Sequence, residues 1–262
     1  MSVKSLVAAT PSGRSRALLI DDAEYSTAVI RQGEPIPWAD TTALVGHFGQ
    51  VRGLLDPDAL WVDLRRLQAA HLAARPDLVT AMAARTRTGY PLRTLLCDDD
   101  LMSATVDALA TVAGTSRREL VLAIPSPAVW LTWAHDIAGN PLDGVDEDRA
   151  DSASMYLAEW LGRLGSVAVA LVLLDAREQA AGTPERLDAY TAIANVASHF
   201  GWSLALRHTA GFETAPGDPE IAVLPGEFWT GEAEVPDAEV LVSTIPAAAA
   251  PERVLDRLAA LA

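Results

Sequence analysis

A single cysteine, Cys97, stands among 262 residues. An internal disulfide is impossible, and zinc or iron–sulfur sites built from several thiolates are excluded. Positive charge is also scarce: 20 Lys and Arg against 35 Asp and Glu leave a formal net charge of -15. That balance opposes binding to a phosphate backbone, so nucleic acid is not an expected partner. It leaves the sign of any one pocket open and suits a surface that stays in solution. No run approaches the roughly 18 consecutive apolar residues of a membrane span. The stretch Met1 to Ala9 lacks the apolar core of a signal peptide. Cytoplasm is therefore the expected location, with no membrane contact.

Familiar chemical signatures are missing as well. No G-x-G-x-x-G follows a strand and no G-x-x-x-x-G-K-[ST] occurs, so no cofactor is expected. There is no G-x-S-x-G nucleophile elbow. The five histidines form neither H-x-H nor H-E-x-x-H, so no metal site is expected. Cys97 reads as a core residue in preference to a nucleophile.

What is present is alternation. Glu119-Leu-Val-Leu-Ala-Ile124 is a short apolar run, and Ser126-Pro127 opens a helix at once, with a cap and a proline at its first position. Residues Asp146 to Leu164 keep a helical period, ended by Gly165. Val167 to Leu174 is apolar on both faces, as a central parallel strand is. Thr183-Pro184 is expected to open another helix, closed by Gly201, before the strand Trp202 to Arg207. Such β-α-β succession predicts an α/β fold.

The flanks are less regular. Residues 1–40 read as an irregular arm, with a strand at Ala17-Leu-Leu-Ile20 cut off by Asp21-Asp22. Helices are expected from Asp40 or Thr41 to Leu54 and from Pro57 to Arg87 with a break near Pro76. Leu92 to Leu96 reads as a short strand or a connection, and Asp98-Asp-Asp100 as a helix start. Strands are expected at Glu220 to Leu224 and Glu239 to Ile245, with a last helix from Pro251. Pro225 to Pro236 reads as a loop over the end of the sheet. One domain, 1–262, is the economical organisation.

In parallel α/β folds the carboxyl ends of the strands face the functional side. Asp175-Ala-Arg177 follows one strand, Arg207-His208 ends another, and Ser126 sits at a third. Asp175 and His208 are candidates for proton transfer, and Arg177 and Arg207 for holding a substrate carboxylate. Asp175 and Arg207 pairing with each other is the structural alternative. Ser126, Trp130 and Glu227 are further candidate substrate contacts. Trp38, Trp130, Trp133 and Trp229 fall near the expected rim, which suits an aromatic or flat ligand, although filling a large core accounts for them better.

Residues 118–210 resemble the superfamily that joins uroporphyrinogen decarboxylase to the catalytic domain of cobalamin-independent methionine synthase. The resemblance rests on Ala123-Ile-Pro-Ser-Pro127 with Trp130 in its helix, Glu159 before Leu164-Gly165, and the strand end Leu174-Asp175. It implies a (β/α)8 TIM-like barrel, shortened or irregular, with an open doubly wound, mostly parallel sheet as second choice. Where that superfamily often ends the strand in an Asp-Glu-Pro motif, only Asp175 carries over. The methionine synthase branch needs thiolate ligands for zinc, which one cysteine does not supply. The decarboxylase branch works without a cofactor and holds carboxylates with Arg and Asp. Its arginine-rich N-terminal loop has only Arg14 and Arg16 as counterparts. The expected function is a cofactor-independent lyase or decarboxylase-like enzyme acting on a small carboxylated or aromatic molecule. The alternative is a non-catalytic TIM-like binding or assembly protein, marked by an exposed apolar patch that includes Trp38. A homodimer or another protein partner is compatible with either.

Overall fold

The computed structural model describes residues 2–179, 184–231 and 233–261. Its strands are β1 (Ala17–Asp21), β2 (Ala59–Asp63), β3 (Leu120–Pro125), β4 (Val169–Asp175), β5 (Ser203–His208), β6 (Gly211–Thr214), β7 (Ile221–Leu224) and β8 (Val240–Thr244). They form one sheet in the order β6-β5-β4-β3-β2-β1-β8-β7. All neighbours run parallel except the hairpin pair β5 and β6. The two edge strands, β6 and β7, lie against each other without a ladder among the described residues, so the sheet curls into a nearly closed, TIM-like α/β barrel flanked by helices.

Strand alternation divides the apolar residues into two cores. Ala17 and Leu19 of β1, Ala59 and Trp61 of β2, Leu171 and Leu173 of β4, Ala205 of β5 and Val242 of β8 fill the barrel. Their neighbours Leu18, Ile20, Leu60, Val62, Val172, Leu204 and Leu206 face the surrounding helices. The barrel is filled from below by the helix Val3–Ala8, whose Val3 and Leu6 join the inner core. The Val3 amide donates to Ser203 Oγ at 3.2 Å. Residues 1–40 are thus much less irregular than expected, because the helix and β1 pack into the barrel and a short α-to-π turn through Ile30 packs Ala23 and Tyr25 into the outer core.

Several local signals act as the sequence predicts. Asp40 caps the helix Thr41–Leu55 and Asp98 the helix Asp99–Ser116, each side chain accepting an orphan amide of the first turn. Ser126 caps Pro127–Ile137. Pro251 begins Pro251–Ala260, with Val254 and Leu258 buried and Leu255 exposed.

Five expectations are corrected. Within 57–87, residues Ala59–Asp63 form β2, not helix; Asp58 secures the crossing, taking the amides of Ser12 at 2.9 Å and Leu18 at 2.8 Å. Leu92 to Leu96 belong to the helix Tyr90–Leu96, which Pro91 starts. Pro184 does not open a helix: a 3-10 turn at Leu187–Ala189 precedes the helix Thr191–Phe200, and Thr183 lies outside the described residues. The expected cover over 225–236 contains the short helix Glu227–Thr230. Cys97 is exposed instead of buried.

Candidate functional site

The period of two that sorts the cores also decides which side chains crown the barrel. One step beyond the inner-core residues of each strand come Asp21 on β1, Asp63 on β2, Pro125 on β3, Asp175 on β4, Arg207 on β5 and Thr244 on β8. The carboxyl end of the barrel is thus a ring of three carboxylates, a guanidinium and a hydroxyl.

Each charge has a distinct environment. Asp175 is closed by Arg177, whose Nε lies at 2.9 and 3.1 Å from its two oxygens and whose Nη2 lies at 2.6 Å. Burial pushes this carboxyl up, but the guanidinium and the Arg177 amide outweigh it and hold it below the usual carboxylate range. Burial raises the Asp21 carboxyl, with Arg207 opposing and Asp63 reinforcing the shift. Burial also raises Asp63, although its carboxylate caps the next helix by accepting the Arg66 amide at 3.0 Å. Across the rim, Arg65 bonds both oxygens of Glu178 at 2.5 and 2.7 Å.

Asp21, Asp63, Asp175, Arg177 and the edge of Trp61 surround a cavity of about 40 Å³. A water takes roughly 10–15 Å³ on this measure, so the cavity has room for about three waters or one small polar group. A tetrapyrrole does not fit it. Arg207 stands beside this cavity and is not part of its wall. Only 5% of Arg207 is exposed. Its guanidinium lies over the Phe212 ring at 5.5 Å, and its Nη1 is buried without a partner.

The remaining candidates are dispersed. His208 follows Arg207 and points to the other face, 3.3 Å from Glu213 Oε1. Ser126 donates to Glu185 Oε1 at 2.5 Å, and the Glu185 carboxylate also receives the Ala128 amide at 3.1 Å and the Tyr190 hydroxyl. That carboxylate occupies the helix N-terminus that a substrate anion would use. Trp130 is fully buried in the outer core, edge-on to Trp160 at 5.3 Å, and does not reach the mouth. Trp229 is likewise buried, its ring nitrogen donating to Ser243. Glu227 is exposed at the start of its short helix. Arg14 and Arg16 bond the carbonyls of Asp56 and Pro236 at the opposite end of the barrel. His135 is a buried structural residue, accepting the Gly89 amide at 3.3 Å with the Asn140 carbonyl at its other nitrogen.

Asp21, Asp63 and Thr244 join the ring without having been singled out by the sequence. For Asp21 the signal was available: it ends an apolar run just as Asp175 does. Among the described residues, no three His, Cys, Asp or Glu side chains are grouped as metal ligands, and no helix is long and apolar enough to cross a membrane. No protein-family model, curated protein or solved structure matches the chain.

Proposed function

We propose that the barrel mouth is the active site of a cofactor-independent enzyme of lyase or decarboxylase type acting on a small carboxylated molecule in the cytoplasm. The observation that carries this reading is Arg207, a guanidinium 5% exposed with a buried nitrogen that no acceptor meets. Burying a cation costs several kcal/mol, and an unmade donor costs about 1–3 kcal/mol more. A carboxylate ligand relieves both costs.

In this reading Arg207 holds the substrate. Asp63, which lines the cavity and keeps its proton to higher pH than an ordinary carboxyl, delivers that proton to the carbon left with the electron pair when the C–C bond breaks. Water returns a proton to Asp63. Asp175, kept ionised by Arg177, supplies a fixed negative charge. His208 contributes nothing directly, because it faces Glu213. The exposed apolar patch that would mark the binding-protein alternative is not formed at Trp38, which is buried against Phe48. The large exposed apolar side chains, Met155, Val223, Val235 and Leu255, are spread over four segments.

A thermal-shift screen of short mono- and dicarboxylates and aromatic acids, run on the parent and on Arg207→Gln, tests the reading. Stabilisation of the parent by one class, lost in the variant, supports it, and carbon dioxide or alkene release by the parent with that class completes it. Equal shifts in both proteins, or none in either, sink it.

A further inference from the structure

Two cavities share a wall at the end of β2. Trp61 and Asp63 line the mouth cavity and also a smaller cavity beside it. Asp22, which follows β1, and His47, on the helix Thr41–Leu55, line the smaller one too, with Trp38 and Phe48. Its volume is about 10 Å³, the space of about one water. Asp22 is 4% exposed and His47 is 2% exposed. Among the described residues, Asp22 Oδ2 and His47 Nδ1 are both buried without a hydrogen-bond partner. Buried polar atoms in folded proteins nearly always have one, and an ordered water serves where the protein supplies none. An acid and a base with unmade hydrogen bonds thus border a space of one water, and a second acid joins that space to the mouth.

We infer that one water in this cavity joins Asp22, His47 and Asp63, and that Asp22 is the store from which Asp63 regains its proton. The inference deepens the function proposed above, and the use of the stored proton rests on that reading. Three hydrogen bonds fix the water. Neutral Asp22 donates its O–H to the water, which donates one hydrogen to His47 Nδ1 and the other to the Asp63 carboxylate. His47 then carries its own proton on Nε2. Once Asp63 has protonated the substrate carbon, the water hands a proton to the Asp63 carboxylate and takes the Asp22 proton in return. One O–H forms on Asp63 and one breaks on Asp22, so the negative charge moves to Asp22. Solvent then restores the Asp22 proton, which is the one that decarboxylation consumes. Asp22 acts through Asp63 and touches no substrate.

The charges around the cavity support this assignment. Burial pushes the Asp22 carboxyl up to about 7, with the Ser26 hydroxyl opposing and Asp21 reinforcing the shift. Burial lowers His47 to about 4, and the Arg31 guanidinium acts in the same direction. Burial raises Asp63, against the Arg66 amide and the guanidiniums of Arg66 and Arg65. Between those two values the proton therefore rests on Asp22, and the neutral ring is free to accept.

A crystal structure of the parent at about pH 6 is expected to show a water within about 3.2 Å of Asp22 Oδ2, His47 Nδ1 and an Asp63 oxygen. The carboxyl carbons of ¹³C-aspartate-labelled protein are then titrated by NMR without any substrate. The Asp63 carbon of the parent is expected to show its own inflection and a second near pH 7, where Asp22 titrates. Asp22→Asn, whose amide still donates to the water, keeps the water and loses the second inflection. His47→Gln, whose amide oxygen accepts in place of Nδ1, keeps both, whereas His47→Leu loses the water. No water in the parent cavity, a single Asp63 inflection, a second one that survives in Asp22→Asn, or a water retained in His47→Leu overturns the inference. Acetate binding separates it from the function. If acetate binding depends on Arg207 while Asp63 titrates in one step, the carboxylate clamp stands and the proton store falls. If the parent binds no acetate but the coupled titration holds, the store stands and its use in a lyase reaction falls.

Discussion

Asp175 and Arg207 are register partners across β4 and β5, yet the guanidinium that closes on Asp175 comes from Arg177, two residues further along the chain. The short-range pair takes the carboxylate that would otherwise have neutralised Arg207. A buried cation is thereby left with an unspent donor beside the mouth cavity.

Arg177→Gln is expected to lower stability by about 1 kcal/mol at pH 7, the upper range for a partly exposed pair. Asp175 is depressed below its ordinary 3.8, so the pair's contribution is complete above that value and is lost as pH falls through the lower folded value. Urea denaturation of both proteins should show the difference at pH 7 and its closure in strong acid. A difference that persists there assigns the loss to packing.

Asp22 is 4% exposed, its Oδ2 has no partner, and burial pushes its carboxyl up to about 7. The unfolded chain releases this proton near 3.8 and the native state near 7. The native state thus holds more protons in that window, and stability falls as pH rises across it. Asp22→Asn should match the parent near pH 4 and exceed it above pH 7 by on the order of 2–4 kcal/mol. His47, which lines the same small cavity, acts with the opposite sign. Burial lowers it to about 4, so its neutral ring costs stability as pH falls from 6.5. The acid-side slope should survive in Asp22→Asn. Equal stabilities at pH 8 would refute the assignment.

Ser126→Ala removes a helix cap and one of three donors to the buried Glu185 carboxylate. The expected loss is about 2 kcal/mol. Combined with Tyr190→Phe, the two losses should be non-additive, since both hydroxyls serve one acceptor. Acetate affinity should stay unchanged, because Ser126 is committed to this internal network. A selective loss of acetate binding with normal stability would return Ser126 to the substrate.

A methyl group on Gly165 would overlap the Phe200 ring, which is itself stacked on Trp202 at 4.8 Å. Gly165→Ala should therefore cost about 1–3 kcal/mol by overpacking. Differential scanning calorimetry measures it. A neutral substitution would mean that the Phe200–Trp202 stack shifts freely.

Much of the barrel is written in β3 and β4, where unbroken apolar runs meet sharp helix starts. β2 is hidden because Ala59-Leu-Trp-Val62 is too short to separate from the helix that follows without a break at Asp63. β6 is hidden because Gly211-Phe-Glu-Thr214 carries one large apolar residue and gains its strand character only by pairing with β5. The site was half legible for the same reason. The strand-end rule selects Asp175 and Arg207, and it selects Asp21 equally well once Ala17 to Ile20 is accepted as a strand. Alternation alone separates Arg207 from His208: with Leu204 and Leu206 facing the helices, His208 follows them outward and Arg207 turns in. What alternation does not reveal is the occupant of a helix N-terminus. Glu185 reaches Ser126 from 59 residues away, and only the folded chain brings them together.

A barrel laced by backbone hydrogen bonds all the way round has a girth fixed by its ladders. Among the described residues this one has seven ladders for eight strands, and at the eighth junction β6 and β7 lie against each other without one. Arg207 and Thr244 stand one strand in from either lip of that junction. The span between them is therefore the one dimension of the cup that can widen or narrow without breaking a ladder bond. A grip built there adjusts to its cargo, while the Asp21, Asp63 and Asp175 wall opposite keeps its shape.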